Sequence, residues 1–283
     1  MSPGRSSTWR DLTWTREIPV AREHRKTVSS GLAVRADLLR SLHHQDHPLV
    51  LANAWDAASA RLVVSAGFRA IATSSGAMVE SLGWSDGSTA PPDEVFGAIH
   101  RITRSVKVPV SADLEDGYRL APSELVARLL SAGAVGCNLE DADHHSDAPL
   151  IAAEIHAEQV ATIKREARDS GVDIVLNART DVLLRSVGAL NEQITEACRR
   201  AALYLEAGAD CIFVPVLDAS DDTLTQLVSQ IDGPVNLLAR PNVKDIGRLA
   251  RAGAARISVG SGLFRSLNKE LADLLSVLAS ESD

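Results

Sequence analysis

With 283 residues, 45% of them hydrophobic and only 4% aromatic, the chain can bury a large core, built from Ala, Val, Leu and Ile rather than Trp and Tyr. That suits a layered α/β protein better than an all-β sandwich. The formal net charge of −8, without a dense Lys/Arg run, argues against a nucleic-acid partner. No apolar stretch approaches the ~20 residues of a membrane span or the apolar segment of a secretory signal. Cys137, Cys198 and Cys211 are widely spaced and odd in number, as expected of reduced structural thiols in a cytoplasmic protein.

Residues 1–32 are polar and Arg-rich, with Trp9 and Trp14 in no helical or strand period. They read as an extension, either draped over the protein or a neighbouring subunit or disordered. A single domain is expected over 33–283. In it a unit recurs, a helical stretch ending in Ala-Gly and then a short apolar strand. Its copies are Ala66-Gly67, Ala132-Gly133, Ala207-Gly208 and Ala252-Gly253. Glycine just past a helix can take the left-handed conformation that ends it. Apolar strand runs point to a parallel sheet buried on both faces.

Eight strands are predicted, centred near Val50, Ile71, Val110, Asn138, Val175, Ile212, Asn236 and Ile257. Helices lie between them, for example Asp93 to Ser105, and Asn191 to Glu206 with Ala197, Ala201, Leu203 and Leu205 as its buried stripe. Eight βα units in about 230 residues predict a closed (β/α)8 barrel. The rival open doubly wound sheet is disfavoured, because no G-x-G-x-x-G follows the first strand.

A barrel of this kind carries its site at the carboxyl ends of the strands. The third strand ends in Asp113-Leu114-Glu115-Asp116, where alternation lets Asp113 and Glu115 point the same way. The fourth ends in Glu140-Asp141, and its neighbour lies ~4.8 Å away. Three inward carboxylates, Asp113, Glu115 and Glu140, need a compensating cation, and oxygen ligands favour Mg²⁺, Mn²⁺ or Ca²⁺ over zinc. Asp116 and Asp141 are expected behind them or in loops. On the fifth strand Asn177 and Arg179 share a face, and Arg179 can grip a substrate carboxylate or phosphonate bidentately. Thr73-Ser74-Ser75-Gly76 ends the second strand and can cradle a carboxylate. Asp56 is expected to cap the helix after the first strand.

In order along the chain, six segments resemble the isocitrate lyase/phosphoenolpyruvate mutase superfamily. They are Asn53-Ala54-Trp55-Asp56, Thr73-Ser74-Ser75-Gly76, Ser81-Leu82-Gly83-Trp84-Ser85-Asp86-Gly87, Ser111-Ala112-Asp113-Leu114-Glu115-Asp116-Gly117-Tyr118, Asn138-Leu139-Glu140-Asp141 and Asn177-Ala178-Arg179-Thr180-Asp181. The likeness runs from about residue 35 to 270. It implies Asp113 as the direct Mg²⁺ ligand (Mn²⁺ as substitute), with Glu115 and Glu140 holding the metal, often through water. Asp86 is implied near its water shell and as a catalytic residue beside Arg179. Arg179 and Asn177 with Thr73, Ser74 and Ser75 are implied to bind substrate, and Trp55 to line the site. It also implies a homotetramer, a dimer of dimers that swap their last helix, and a mobile loop after the fourth strand.

The chain departs from the lyase branch in that loop. Asp141-Ala142-Asp143-His144-His145-Ser146-Asp147 lacks the Lys-(Lys/Arg)-Cys-Gly-His pattern whose cysteine donates a proton, and the mutase gating loop is not evident either. His144 or His145 can act as an acid or base if the loop closes, His144 being the candidate taken, although a solvated histidine is the plainer expectation. Val216 stands where lyases often carry glutamate, and Arg240 where relatives have a smaller polar residue.

The expected function is Mg²⁺-dependent cleavage or decarboxylation at the C3 bond of a small 2-oxo or 2-hydroxy di-acid through a metal-stabilised enolate. It would be oxaloacetate decarboxylase-like or a substituted-malate lyase. Phosphonate C–P chemistry, of phosphonopyruvate hydrolase or mutase type, is the first alternative, and a non-catalytic metabolite-binding barrel the second.

Overall fold

The computed structural model describes residues 19–280, apart from residues 88, 147 and 187, with side chains from residue 30 onward. Its nine strand segments form one parallel sheet and fill eight positions. β1 is made of Leu49–Leu51 and Asn53–Ala54, broken at Ala52. It is followed by β2 (Ile71–Thr73), β3 (Val110–Asp113), β4 (Gly136–Glu140), β5 (Val175–Arg179), β6 (Cys211–Val214), β7 (Val235–Leu238) and β8 (Arg256–Ser258). The first half of β1 pairs with β8 and the second half with β2. One strand thus holds both ends of the sheet, and the ring closes as the expected (β/α)8 barrel. Every predicted strand centre falls within an observed strand.

The helices are α1 (Pro19–Leu42), α2 (Ala57–Ser65), α3 (Ser75–Ser81), α4 (Pro92–Thr103), α5 (Pro122–Ser131), α6 (Ala153–Asp169), α7 (Leu190–Glu206), α8 (Asp221–Gln230), α9 (Val243–Arg251) and α10 (Gly262–Ser280). Each Ala-Gly pair ends a helix as expected. Ala66, Ala132, Ala207 and Ala252 close the last turn, and Gly67, Gly133, Gly208 and Gly253 follow with φ of +96°, +86°, +99° and +92°. An L side chain is strained there. Asp56 caps α2 by accepting from the Ser59 amide at 2.7 Å.

Two details differ from the sequence reading. Trp9 and Trp14 lie outside the described residues, but α1 begins at Pro19 and runs across the boundary placed at residue 32. Leu32, Ala36, Leu39 and Leu42 are all buried against the barrel. Their helical period straddles residue 33, so dividing the chain there hides it. On α7 the buried apolar stripe is Ile194, Ala197, Ala201 and Tyr204. Leu203 and Leu205 are only partly buried. They sit two residues apart, on opposite flanks of Tyr204, and cannot share one stripe.

Cys137 and Cys211 are fully buried free thiols, and burial pushes both up to about 12. Among the described residues no helix is long and apolar enough to cross a membrane.

Candidate active site

A cavity of about 630 Å³ opens at the carboxyl ends of the strands, with Ser75, Asp113, Asn138, Arg179, Phe213 and Ser261 on its wall. A smaller one of about 330 Å³ shares Ser75, Asp86 and Arg179 and adds Glu140 and His144.

Asp113 is the last residue of β3 and is 8% exposed. Its Oδ2 accepts from the Ser75 amide (3.1 Å) and the Ser75 hydroxyl (2.9 Å), and its Oδ1 from Asn138 Nδ2 (3.4 Å). All three donors are neutral. The expected hydroxyl segment divides its work. Thr73 is buried and its Oγ1 accepts from the Asp113 amide (2.8 Å), while Ser74 meets Ser261, Oγ to Oγ, at 2.8 Å. Gly76 matters because a β-carbon there would come within 2.9 Å of Asp86 Oδ2 and 3.2 Å of Ser261 Oγ. Asp86, on the loop after α3, thereby reaches both cavities.

Strand alternation does not carry as far as Glu115. β3 ends at Asp113, and Glu115 has φ +50°, with Tyr118 at +54°. The Tyr118 hydroxyl donates to Glu115 Oε1 at 3.1 Å. Burial first, then the charges of Glu115 and Asp113, push the Tyr118 phenol well up. Glu140 ends β4 and is buried between two bases. His144 Nε2 lies 2.6 Å from its Oε1, and Arg179 Nη1 lies 2.5 Å from its Oε2. Burial raises the Glu140 carboxyl, and Arg179 and His144 oppose it. Each acid has thus taken its own partner, although all three lie near enough to act on the Tyr118 phenol. Among the described residues no three His, Cys, Asp or Glu side chains form a group that could hold a metal ion.

Arg179 lines both cavities and is held from behind. Its Nε and Nη2 donate to Asp181 at 2.6 and 2.8 Å, and its guanidinium lies 5.7 Å from the Phe213 ring centre. Burial works against its charge, but Glu140 and Asp181 more than offset this. Asp181, quoted in the fifth-strand segment without a role, is the residue that orients it.

His144 is half-buried, and His145, although exposed as a loop residue, is also paired. His144 docks on Glu140, and this hydrogen bond raises the imidazole above its ordinary range. His145 Nε2 lies 2.8 Å from Asp116 Oδ2. Buried carboxylates at the strand ends attract whatever bases the loop above carries. Asp141 points away from the cavities, toward Arg200 (2.9 Å) and the Tyr204 hydroxyl (2.7 Å) on α7. Trp55 and Asn177 stand behind the walls of these cavities. Trp55 packs edge-on against Phe264 at 5.2 Å, and Asn177 Nδ2 donates to Asn138 Oδ1 at 2.8 Å. Val216 borders an adjoining cavity, and Arg240 lines the main one while its guanidinium holds Leu217 O and Asp218.

Asn53 was quoted in the first segment without a role. It donates to Thr73 O (2.7 Å) and accepts from the Val259 and Gly260 amides (3.0 and 2.8 Å), tying β1, β2 and the loop after β8 together. Ser261 had no sequence signal, because only the closing of the ring brings it beside Ser74.

The model of the phosphoenolpyruvate phosphomutase family matches residues 39–278. An uncharacterized protein of Mycobacterium tuberculosis is 35% identical over 223 residues, covering 78% of this chain and 80% of that one. The oxaloacetate decarboxylase of Pseudomonas entomophila is 30% identical over 233 residues, with 79% and 78% covered. A Burkholderia cenocepacia crystal structure, described as a phosphonomutase, is 36% identical with a TM-score of 0.78, covering 86% of this chain and 99% of that one. A phosphonopyruvate hydrolase solved with oxalate and Mg²⁺ shares the fold at 21% identity and TM-score 0.75, with 88% of each chain covered. The chain therefore belongs to the phosphoenolpyruvate phosphomutase family, within the isocitrate lyase/phosphoenolpyruvate mutase superfamily of barrels, and is an enzyme of its lyase kind.

Proposed function

We propose that this enzyme acts at the C3 bond of a small 2-oxo or 2-hydroxy di-acid, as an oxaloacetate decarboxylase or a substituted-malate lyase, and depends on Mg²⁺, with Mn²⁺ as a substitute. The observation that carries this is Asp113, a buried carboxylate on the cavity wall that neutral donors alone satisfy, beside the clamped cation Arg179. Such a group fits a hard cation held by few protein oxygens and completed by water. Asp113 would hold it directly, and Asp86, Glu115 and Glu140 through water. When bound, the ion supplies positive charge to the carboxylate and C2 oxygen of the substrate, favouring the negative charge that develops there.

The rest falls to the chain's own groups. Arg179 uses three of its five N–H donors on Asp181 and Glu140, which leaves two for a substrate carboxylate. Ser74 and Ser261, bonded Oγ to Oγ on the cavity wall, use one hydroxyl proton on each other and leave one to donate. His144, kept basic by Glu140, is the candidate proton donor to C3 in place of the missing cysteine. The 30% identical oxaloacetate decarboxylase supports this substrate class.

A second reading, C–P bond chemistry, is favoured by the 36% identical structure described as a phosphonomutase. Assaying pyruvate release from oxaloacetate against phosphate release from phosphonopyruvate, each with Mg²⁺, separates the two. The first reading expects pyruvate only, abolished in Asp113→Ala. Turnover of neither substrate, with Asp113→Ala silent in a wider acid screen, would sink both.

The assembly we propose is a homotetramer of helix-exchanged dimers. Along α10, Leu267, Leu271, Leu274 and Leu278 are each more than half exposed, a stripe wide enough to pack against a second copy. The three unpaired cysteines fit a cytoplasmic location.

A further inference from the structure

The barrel interior beneath Asp113 holds a charge that the site does not account for. Arg256, the first residue of β8, is completely buried and, among the described residues, makes no ion pair. Its Nη2 donates to Asn138 Oδ1 at 3.1 Å and its Nε to Ser258 Oγ at 3.4 Å, while Nη1 meets no partner. A buried guanidinium without a carboxylate is costly, and an apolar side chain of similar length fills the same space more cheaply. Packing does not explain it.

Asn138 does. Its Oδ1 accepts from both Arg256 Nη2 and Asn177 Nδ2, and its Nδ2 faces Asp113 Oδ1. Two donors on one amide oxygen permit a single orientation. Flipped, the amide would set its oxygen against the Asp113 carboxylate and its NH₂ against two N–H groups. We propose that Arg256 is a positioning residue: with Asn177 it locks the Asn138 amide, and through it fixes the Asp113 carboxylate in the orientation that takes a divalent cation. This rests on the reading above that Asp113 holds the metal. Burial pushes the Arg256 guanidinium down to about 10, with Cys211 and Asp113 opposing, so the group remains charged at neutral pH. Its own repulsion of a cation works against binding. The two effects differ in sign: loss of the lock weakens metal binding, whereas relief of repulsion tightens it.

The test is Mn²⁺ titration of the full chain, read by electron paramagnetic resonance without substrate, for wild type, Arg256→Met, Arg256→Lys and Asn177→Ser. Arg256→Met is expected to bind Mn²⁺ about 10- to 100-fold more weakly, the usual effect of losing a group that orients a metal ligand. Its melting temperature should be equal or higher, because an unpaired buried charge is gone. Arg256→Lys, which keeps a donor for Asn138, should recover part of the affinity. Asn177→Ser removes the other donor without uncovering a charge, and keeps the test open if Arg256→Met does not fold. Folded Arg256→Met that binds Mn²⁺ as tightly as wild type, or more tightly, overturns the inference. So does a loss of affinity that tracks a loss of stability and that Lys does not restore. A wild type that binds no Mn²⁺ overturns the metal assignment itself and this inference with it, a result distinct from the first two.

Discussion

Acid should destabilise this barrel through His156, and replacing that one residue should remove a measurable part of the effect. His156 lies on α6, fully buried, with no well-formed hydrogen bond at either ring nitrogen, only weak interactions with the Leu139 backbone and the Gln159 side chain, and its ring edge-on to Tyr204 at 4.8 Å. Burial chiefly pushes its imidazole down to about 4; Asp141 opposes this and Arg200 adds to it. Between pH 6.5 and 4 the unfolded chain accepts a proton here that the folded chain refuses. Stability is therefore complete above pH 6.5 and is lost as the pH falls toward 4. The gap between 6.5 and about 4 corresponds to about 3 kcal/mol in full, of which about 2.5 kcal/mol is gone at pH 4.5. His43 is buried and likewise pushed to about 4, by burial and then by Arg256, so it contributes separately and stays in place. Urea unfolding at pH 7.5 and 4.5 measures the effect. His156→Phe keeps an aromatic edge on Tyr204, and any change in packing cancels when each variant is compared with itself at the two pH values. The variant should lose about 2.5 kcal/mol less than wild type on acidification. Losses equal to within about 0.5 kcal/mol would refute the linkage, and with it the claim that His156 is held neutral by burial.

Four further outcomes are expected. Asp141→Ala takes one carboxylate from the buried Arg200, which keeps Glu196 and the Ile151 carbonyl, and leaves the Tyr204 hydroxyl and the Asp181 amide without their acceptor; it should cost about 3 kcal/mol in denaturant unfolding. Tyr204→Phe, which removes one neutral donor, should cost about 1–3 kcal/mol. Arg179→Lys cannot span Asp181 and Glu140 with a planar fork, and kcat/KM for whichever acid is turned over should fall about 100-fold or more, about 3 kcal/mol; a smaller fall would mean that Arg179 does not orient the substrate. Leu271→Glu with Leu274→Glu puts charges on the exposed stripe of α10, and light scattering should show a mass below that of the homotetramer proposed for the wild type.

The barrel was legible because its signals are local and repeated. An apolar run, a helix and an Ala-Gly stop recur, and each depends only on neighbouring residues. The acids at the ends of β3 and β4 and the arginine of β5 were legible for the same reason, since strand order alone puts them at one mouth. What lay beyond reach depends on partners distant in sequence. Asn53 bonding to Gly260, Ser74 meeting Ser261 and Asn138 receiving Arg256 all exist only once β8 returns beside β1. Trp55 and Asn177 share segments with cavity-lining residues but stand behind the wall, a distinction of side-chain direction and not of position in the chain.

Glu115 shows where sequence logic fails physically. Alternation holds only while the backbone stays extended, and here it stops at Asp113. Glu115, Gly117, Tyr118 and Arg119 all have positive φ, a conformation costly for the three that are not glycine. No propensity predicts such a run, because the surroundings impose it. The Glu115 carbonyl accepts from the Glu140 amide (2.8 Å) and the Asp116 carboxylate accepts from the Tyr118 amide (2.9 Å). The turn thereby delivers the Tyr118 hydroxyl to Glu115. A straight strand would have aimed Glu115 alongside Asp113. The bent one turns Glu115 toward Tyr118 and leaves Asp113, held by neutral donors, as the strand-end acid of β3 on the cavity wall, which is why that residue, rather than the trio, carries the functional reading.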